Sequence, residues 1–406
     1  LARKREVGFT CPAVSVNPLV DDTFMNFDLI KHTILMTVAG SRAYGLHTAT
    51  SDVDIKGVAI PPREFILGYL SRFDQADKST EIQAFLPYMN AEETGAITAE
   101  KLEGTVFALQ KFVGLAADSN PNILDVLFCR DEEVRLATRA GEILRENRDL
   151  FLSAKAKHTF SGYAASQLKR IRGHRAWLLS PPKAPPVRAD FGLPENTLIP
   201  ADQLAAAQAT VRKLLDQWTP DYGDMPASEI VRIQGMTEDF LVSFVSNLPE
   251  GLPRTVEDAK WLAAARSVGV GDNLIFVMQK EREYESAAVH WKQFQTWKTS
   301  RNAARAELEA KYGYDTKHGA HLVRLLRMGR EILTTGQVNV WRGGPNGDAG
   351  ELLAIRRGEW SYDKLVEYSE GEDVALTEIY NRKEYTIPNA PARNKIDALC
   401  IRLIES

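Results

Sequence analysis

A short apolar run near the N-terminus leads into a glycine-serine pair, and two closely spaced aspartates follow about ten residues later. Residues 33–38 are partly β-branched, which predicts a buried strand that ends at Gly40 and Ser41. A second strand is expected at 53–60, where two prolines stop it. This arrangement predicts a small α/β domain that extends to about residue 130.

The residue types around these two strands indicate a chemistry. Glycine at the end of a strand lets backbone amides approach a phosphate closely, and the hydroxyl of Ser41 adds a donor. Asp52 and Asp54 are two residues apart, so on a strand their carboxylates share a face and repel each other. A hard cation relieves that repulsion, and oxygen ligands favour Mg²⁺ or Mn²⁺. The combination is typical of phosphoryl or nucleotidyl transfer; a surface turn with an aspartate N-cap is the alternative.

The rest of the chain is predicted to be mostly helical. Weaker strands are expected at 82–88 and 105–107, and a helix at 108–117. From residue 132 onwards, helices are predicted at 134–147, 164–179, 201–217, 227–246, 255–265, 270–311, 318–335 and 363–383. Prolines and a glycine forbid regular structure near 180–200, and so long a loop is either functional or disordered.

Composition excludes several other classes of protein. With 44% hydrophobic and 26% charged residues in 406, the chain is neither a disordered nor a fibrous one. It contains no apolar run of the roughly 18 residues that a membrane helix needs, and no secretory signal is recognised at the start, so no membrane association and a cytoplasmic location are expected. Cys11, Cys129 and Cys400 are far apart, which argues against a zinc or disulfide framework.

The net charge of −4 conceals a strongly basic segment. The 37 residues 153–189 contain eight Lys or Arg and no Asp or Glu. Four of these cations lie on a predicted helix, namely Lys169, Arg170, Arg172 and Arg175. Side chains three or four residues apart share a helical face. The segment is therefore predicted to contact phosphates of nucleic acid or of a nucleotide, with a solvated basic face as the alternative.

Two further clusters lie near the predicted C-terminal helices. His318, His321 and Arg324 are spaced to line one face of a helix that Asp315 or Thr316 would cap. The two histidines indicate a metal site only weakly, because no Cys or Glu stands at a ligand spacing from them. Aromatic residues recur along the long helix predicted at 270–311. That pattern is more typical of core packing than of stacking on RNA bases.

Four segments of the sequence resemble segments of a known protein family. The segment GSRAYGLHTATSDVDIKGV resembles the signature of the DNA polymerase β-type nucleotidyltransferase superfamily, and in particular a branch of predicted nucleotidyltransferases from bacteria, phages and RNA-repair gene clusters. LEGTVFALQKFVGLAADSNPNILDVLF, FSGYAASQLKRIRGHRAWLLSPP and GYDTKHGAHLVRLLRMGREIL are similar to later segments of that branch. The resemblance implies an α+β fold: a catalytic domain at 1–130 with a small mixed sheet, then a mostly helical substrate- and nucleotide-binding domain at 131–406.

The resemblance also implies a third carboxylate. In the branch it is usually an Asp six residues before the Leu of an LxKF segment, and that count from Leu109 leads to Glu103. The Glu departs from the Asp that is usual, although Glu also ligates Mg²⁺. Glu100 is the alternative, and on an extended strand it would face the opposite way from Glu103.

Residue by residue, the resemblance implies a Mg²⁺- or Mn²⁺-dependent transfer of NMP from an NTP to an acceptor hydroxyl. The metal ligands and catalytic residues would be Asp52, Asp54 and Glu103, and the nucleotide-binding residues would be Gly40, Ser41, Arg42, Lys317, His318 and Arg324. The basic helix favours an RNA or tRNA 3′ end as acceptor, with Lys169, Arg170, Arg172 and Arg175 as the nucleic-acid-binding residues. Two alternatives remain: transfer of AMP to a protein, and nucleic-acid binding on a degenerate, non-catalytic fold.

Overall fold

The structure is a computed structural model that describes residues 27–48, 51–97, 102–197, 200–217, 256–267, 269, 271–301, 303–345 and 347–406. Three features predicted from the sequence lie outside the described residues. They are Cys11, Glu100 and the helix at 227–246.

A five-stranded mixed sheet forms the N-terminal part. Its strands are β1 (Thr33–Ala39), β2 (Asp54–Ala59), β3 (Gln75–Ala76), β4 (Glu103–Ala108) and β5 (Val134–Ala137). The spatial order is β3-β4-β2-β1-β5; β2 and β4 are parallel, and every other neighbouring pair is antiparallel. Strands β1, β2 and β4 confirm the three strands predicted around the motif. The parallel pair starts with Asp54 in β2 and Glu103 in β4.

Short helices connect and cover the strands. They are α1 (Leu29–His32), α2 (Gly40–Ala43), α3 (Arg63–Leu67), α4 (Ser79–Ile82), α5 (Ala91–Ala96), α6 (Leu109–Ala117), α7 (Pro121–Phe128) and α8 (Arg139–Glu146), with 3-10 turns at Gln83–Tyr88, Asp131–Glu133 and Arg148–Phe151. The strand predicted at 82–88 is wrong. Its buried residues, Ile82 and Phe85, are three apart, which is the spacing of a helical face rather than of a strand.

The prediction for residues 134–147 is only half right. The first four residues form β5, which pairs with β1, and Thr138 then caps α8 by accepting a hydrogen bond from the amide of Gly141 at 3.5 Å. Four residues are too few for a period-two pattern to stand out against the helix that follows. The sheet thus takes its fifth strand from beyond the boundary expected near residue 130.

The C-terminal part is helical, as predicted. Its helices are α9 (Ala156–Leu179), α10 (Ala201–Gln217), α11 (Val256–Ser267), α12 (Asp272–Ser300), α13 (Ala303–Tyr312), α14 (Thr316–Thr335), α15 (Ala349–Arg356), α16 (Tyr362–Asn381) and α17 (Arg393–Glu405), with a 3-10 turn at Arg188–Phe191. Helices α15 and α17 were not predicted. The α+β fold class, a mixed sheet followed by a large helical region, is confirmed.

Helix α14 is the centre of the helical part. It packs against α9, α15 and α16, and its buried face includes Leu326 and Ile332. The same hydrophobic core contains Phe112 of α6 and Leu124 of α7, which cover the sheet. One continuous core therefore joins the sheet to the helices and fixes the position of α14 relative to β2 and β4.

Two other segments singled out in the sequence pack against α12. Phe294 of α12 is buried against Trp177 of α9, which confirms the core interpretation for that residue, whereas Tyr284, Trp291 and Trp297 are only partly buried. In the loop at 180–200, Arg188 forms an ion pair with the buried Glu281 of α12, at 2.5 and 2.8 Å. Among the described residues, none of the helices combines the length and the apolar character that crossing a membrane requires.

Candidate active site

The parallel pairing of β2 with β4 brings two carboxylates together. Asp54 and Glu103 are the first residues of their strands and are direct register partners. Partners on adjacent strands, about 4.8 Å apart, present their side chains on the same face. Asp52 is exposed just before β2, and all three residues line one cavity of about 770 Å³. The pairing of β2 with β4 thus makes neighbours of Asp54 and Glu103, which are far apart in the sequence.

The electrostatics of these carboxylates fit a bound cation. Burial raises the pKa of the Asp54 carboxyl above its ordinary value, and the negative charges of Asp52 and Glu103 raise it further. Lys317 lowers it, and its Nζ lies 3.9 Å from Oδ1 of Asp52. An all-oxygen set with unrelieved repulsion suits Mg²⁺ or Mn²⁺ and does not suit zinc. The three residues present therefore fit the divalent metal that the sequence implies.

Gly40 allows the turn between β1 and α2 to lie close to the carboxylate of Asp54. Its φ is +63°, and a Cβ at this position would stand 2.5 Å from Oδ2 of Asp54. The residue must therefore be glycine for both its backbone conformation and its space. Gly40 and Ser41 line the cavity beside Asp54, where a phosphate on a metal would lie.

Polar and cationic side chains of α9 and α14 form the opposite wall. The members are Gln167, Arg170, Lys317, His318, His321 and Arg324, and all of them line the cavity. Lys317, His318 and Arg324 thus line the same cavity as the carboxylates, and so does Arg170 from the basic helix. The cavity has carboxylates on the sheet side and cations on the helix side, which suits a metal-bound polyphosphate.

Arg324 lies at the inner end of this wall. Its side chain is 1% exposed, and its guanidinium stacks on the ring of Tyr44 at 3.6 Å and lies 3.7 Å from Oδ1 of Asp125. The hydroxyl of Tyr44 donates to Asp125 at 2.6 Å. This buried network joins α14 to α7 and to the turn that follows α2.

Lys56 and Asn122 line the same inner end and were not among the residues predicted from the sequence. Lys56 donates to Oδ1 of Asn122 at 3.1 Å, and burial lowers the pKa of its ammonium. A signal for Lys56 was present, because it follows Asp54 by two residues and therefore faces the same side of β2. Asn122 comes from a different element, α7, and its proximity depends on tertiary packing.

Asp315 and His318 make a linked pair at the N-terminus of α14. Asp315 is buried and accepts hydrogen bonds from the backbone amide of His318 at 3.0 Å and from its ring at Nδ1, at 2.6 Å. The other ring nitrogen, Nε2, lies 3.0 Å from Nη1 of Arg170. The sequence predicted the cap, but not the contact between the ring and Arg170.

Other predicted residues lie away from the carboxylates. Arg42 is buried and donates to Glu92 at 2.9 Å, lining a separate depression of the surface. Arg172 is exposed and pairs with Glu370 at 2.7 Å, whereas Arg175 donates to the carbonyl of Gly313 at 2.8 Å. Lys169 is exposed on α9. Of the four basic residues, Arg170 is the one that lines the cavity.

A second group with metal-ligand types lies behind the cavity wall. Ligand atoms of His174, Glu309 and Asp315 all lie within 4.8 Å of one another. Arg301 already supplies a positive charge there, since its Nη1 is 3.1 Å from Oε2 of Glu309. Burial and the nearby Asp315 raise the pKa of Glu309. The cluster thus contains its own paired cation, Arg301, beside a carboxyl of raised pKa.

Comparison with known proteins agrees with the geometry. Residues 23–178 match the family described as RlaP, RNA repair pathway DNA polymerase beta family. A stretch of 148 residues is 26% identical to an enterobacteria phage T4 protein, described as an uncharacterized 38.9 kDa protein of the nrdC-mobD intergenic region. That stretch is 35% of this chain and 40% of the phage protein. No solved structure matches the chain significantly.

Proposed function

We propose that this chain is a nucleotidyltransferase of the DNA polymerase β type that transfers NMP from an NTP to the 3′ hydroxyl of an RNA, a proposal supported by the family match over residues 23–178. One observation carries the proposal. The carboxylates of Asp54 and Glu103 are in register beside Gly40 and Ser41, in a cavity whose other wall is cationic. The matching family is described as belonging to an RNA repair pathway, which supports RNA as the acceptor.

The residues have distinct roles in this reaction. Asp52 and Asp54 would hold the metal that accompanies the triphosphate, and Asp54 with Glu103 would hold a second. Bound Mg²⁺ or Mn²⁺ supplies charge neutralisation on the phosphates and acidifies the acceptor hydroxyl. Backbone amides at Gly40 and Ser41 bind phosphate oxygens, and Lys317 and the arginines of the opposite wall compensate the remaining negative charge.

The acceptor would approach Glu103, the proposed ligand of the second metal. Ser79 of α4 and Thr105 of β4 line the cavity together with Glu103. The exposed cations Lys169 and Arg172 lie on α9, the helix that contributes Arg170 to the cavity. We propose that these two contact phosphates of the RNA outside the cavity, and that Arg170 serves the nucleotide.

The test is incorporation of labelled NTP into acceptors in the presence of Mg²⁺ or Mn²⁺. Each of the four NTPs is offered with RNA, tRNA, DNA and protein acceptors. RNA is expected to be labelled by the wild type, with loss of at least about 10³-fold in Asp54→Asn because a metal ligand disappears. Glu103→Gln should behave like Asp54→Asn, whereas Glu103→Asp, which restores the residue usual in the branch, should retain measurable transfer.

Controls separate chemistry from folding and from binding. Asp373→Asn makes the same change on the exposed face of α16 and should transfer at the wild-type rate. The double variant Lys169→Gln, Arg172→Gln should bind RNA more weakly, with a salt dependence shallower by about 0.7 for each phosphate that is no longer neutralised. Labelling of protein alone would replace RNA as the acceptor. Undiminished transfer by Asp54→Asn would place the chemistry elsewhere, and no transfer to any acceptor would favour a non-catalytic protein.

A further inference from the structure

Hydrogen bonds fix both the backbone amide and the ring of His318. The buried carboxylate of Asp315 binds both its backbone amide, through Oδ1, and its ring at Nδ1, through Oδ2. The ring therefore has one orientation, with Nε2 directed at Arg170 in the cavity. Neighbouring Lys317 reaches to 3.9 Å from Asp52, so this turn of α14 lies where a metal-bound triphosphate would pass.

The hydrogen bonds define the protonation of the ring. A guanidinium has only donors, so Nε2 of His318 must accept from Arg170 with its lone pair. The proton of the neutral ring is then on Nδ1, where it is donated to Asp315. Arg170 thus occupies the nitrogen that could carry a second proton. Arg170 is exposed, and phosphate oxygens are stronger acceptors for it than a neutral imidazole.

We propose that His318 is the general acid that protonates the departing pyrophosphate, and that Asp315 is the residue that positions it. This inference rests on the proposed nucleotidyl transfer. When a triphosphate enters, Arg170 shifts from the ring to phosphate oxygens. Nε2 is then free to take a proton from solvent, and the imidazolium is stabilised by the carboxylate of Asp315.

One bond forms and one breaks at the α-phosphorus in this step. The acceptor oxygen bonds to the α-phosphorus and loses its proton to solvent, while the bond from the α-phosphorus to the oxygen that bridges to the β-phosphate breaks. That oxygen leaves with the bonding electron pair and takes the proton from Nε2 of His318. The ring returns to the neutral form and is protonated again from solvent before the next turnover.

Several titratable and charged groups lie around the ring of His318, and Lys317 among them is directed at Asp52. They are Asp315, Arg170, Lys317, His174 and His321, of which the ring centroid of His174 is 6.3 Å away. Glu309 of α13 faces the same group, because its side chain is hydrogen-bonded to Asp315. His321 accepts from Arg324 at Nδ1, 3.1 Å, and burial together with Arg324 keeps its pKa well below the ordinary value. His321 thus stays neutral.

The experiment measures how the rate depends on the leaving group. Single-turnover transfer to RNA is followed with NTP analogues in which the β,γ-bridging oxygen is replaced by CH₂, CHF or CF₂, which makes the leaving group progressively more acidic. A proton donor makes the rate insensitive to this series, so the wild type should show a shallow dependence. In His318→Gln the rate with NTP should fall by about 10²-fold, and the dependence should become steep because the acidic CF₂ leaving group needs a donor least. His158→Gln makes the same change on a residue that packs on Tyr380 and should match the wild type.

A pH profile and a second variant complete the test. The wild-type rate should fall as the pH rises above the pKa of the acid, and His318→Gln should lack that fall. Asp315→Asn, which leaves His318 in the sequence, should steepen the leaving-group dependence in the same direction even if His318→Gln folds poorly. If the transfer rate depends equally on leaving-group acidity in the wild type and in both variants, proton donation by His318 is overturned, whatever the absolute rates. The proposed nucleotidyl transfer is unaffected by that result. A wild type that transfers no nucleotide overturns both.

Discussion

Replacement of Gly40 by alanine tests the geometry of the cavity most directly. The new Cβ would stand 2.5 Å from Oδ2 of Asp54, whereas ordinary contact begins at 3.4 Å, so the carboxylate must move by about 0.9 Å. A displacement of about 1 Å in a reacting group costs on the order of 10²-fold in rate. The φ of +63° adds a folding cost of about 1 kcal/mol. We expect Gly40→Ala to lower kcat/KM by about 100-fold, or about 2.7 kcal/mol of transition-state stabilisation, and the free energy of unfolding by about 1 kcal/mol.

Gly192 provides a matched control for this substitution. Its φ is +70°, but no atom lies within 4 Å of a Cβ built there. Gly192→Ala should therefore show the same loss of unfolding free energy in chemical denaturation and the wild-type rate of NMP transfer. The reasoning is refuted if Gly40→Ala, with a stability like that of Gly192→Ala, transfers NMP as fast as the wild type.

Two further predictions concern stability. Asp54→Asn should raise the melting temperature of the metal-free protein at pH 7.5, because burial and two neighbouring carboxylates raise the pKa of the folded-state carboxyl and disfavour its charged form. The gain should disappear as the pH falls below about 3, where the aspartate is protonated in folded and unfolded chains alike, and a gain that persists there would contradict the electrostatic cause. Arg342→Met should lower the free energy of unfolding by about 3 kcal/mol, because the buried guanidinium holds both Asp348, at 2.6 Å, and Glu331, at 2.7 Å. Despite burial, Arg342 and Arg327 lower the pKa of Asp348, so in urea titrations the advantage of the wild type should be complete above about pH 5 and should be lost as the pH falls through that lowered pKa.

The sequence was informative where local rules decide the structure. Strand β1 and the turn at Gly40 follow from a short apolar run and a glycine, and the boundaries of α10 were predicted to the residue. The pairing of Glu103 with Asp54 is different, because register between parallel strands depends on the whole sheet. Motif spacing pointed to Glu103, but composition and periodicity alone did not.

The features that the sequence did not predict depend on tertiary packing or on the direction in which a side chain points. Arg42 follows Ser41 in the single turn of α2, and consecutive helical residues point about 100° apart, so the guanidinium reaches Glu92 and a separate depression. Strand β5 is too short for its pattern to be distinguished from the helix behind it. Lys56 and Asn122 become neighbours only when α7 packs on the sheet, and no local pattern encodes that contact.

The contact between Lys317 and Asp52, at 3.9 Å across the cavity, has a thermodynamic consequence. In this arrangement, a cation of α14 and a carboxylate beside β2 partly neutralise each other. A metal alone would take Asp52 and leave Lys317 without its counter-charge, and a triphosphate alone would do the reverse. The metal and the polyphosphate together would satisfy both sides at once, so on the proposed function we expect each to tighten the binding of the other, and by the same factor. The cavity is then expected to bind the complex of the two more tightly than either ion offered singly.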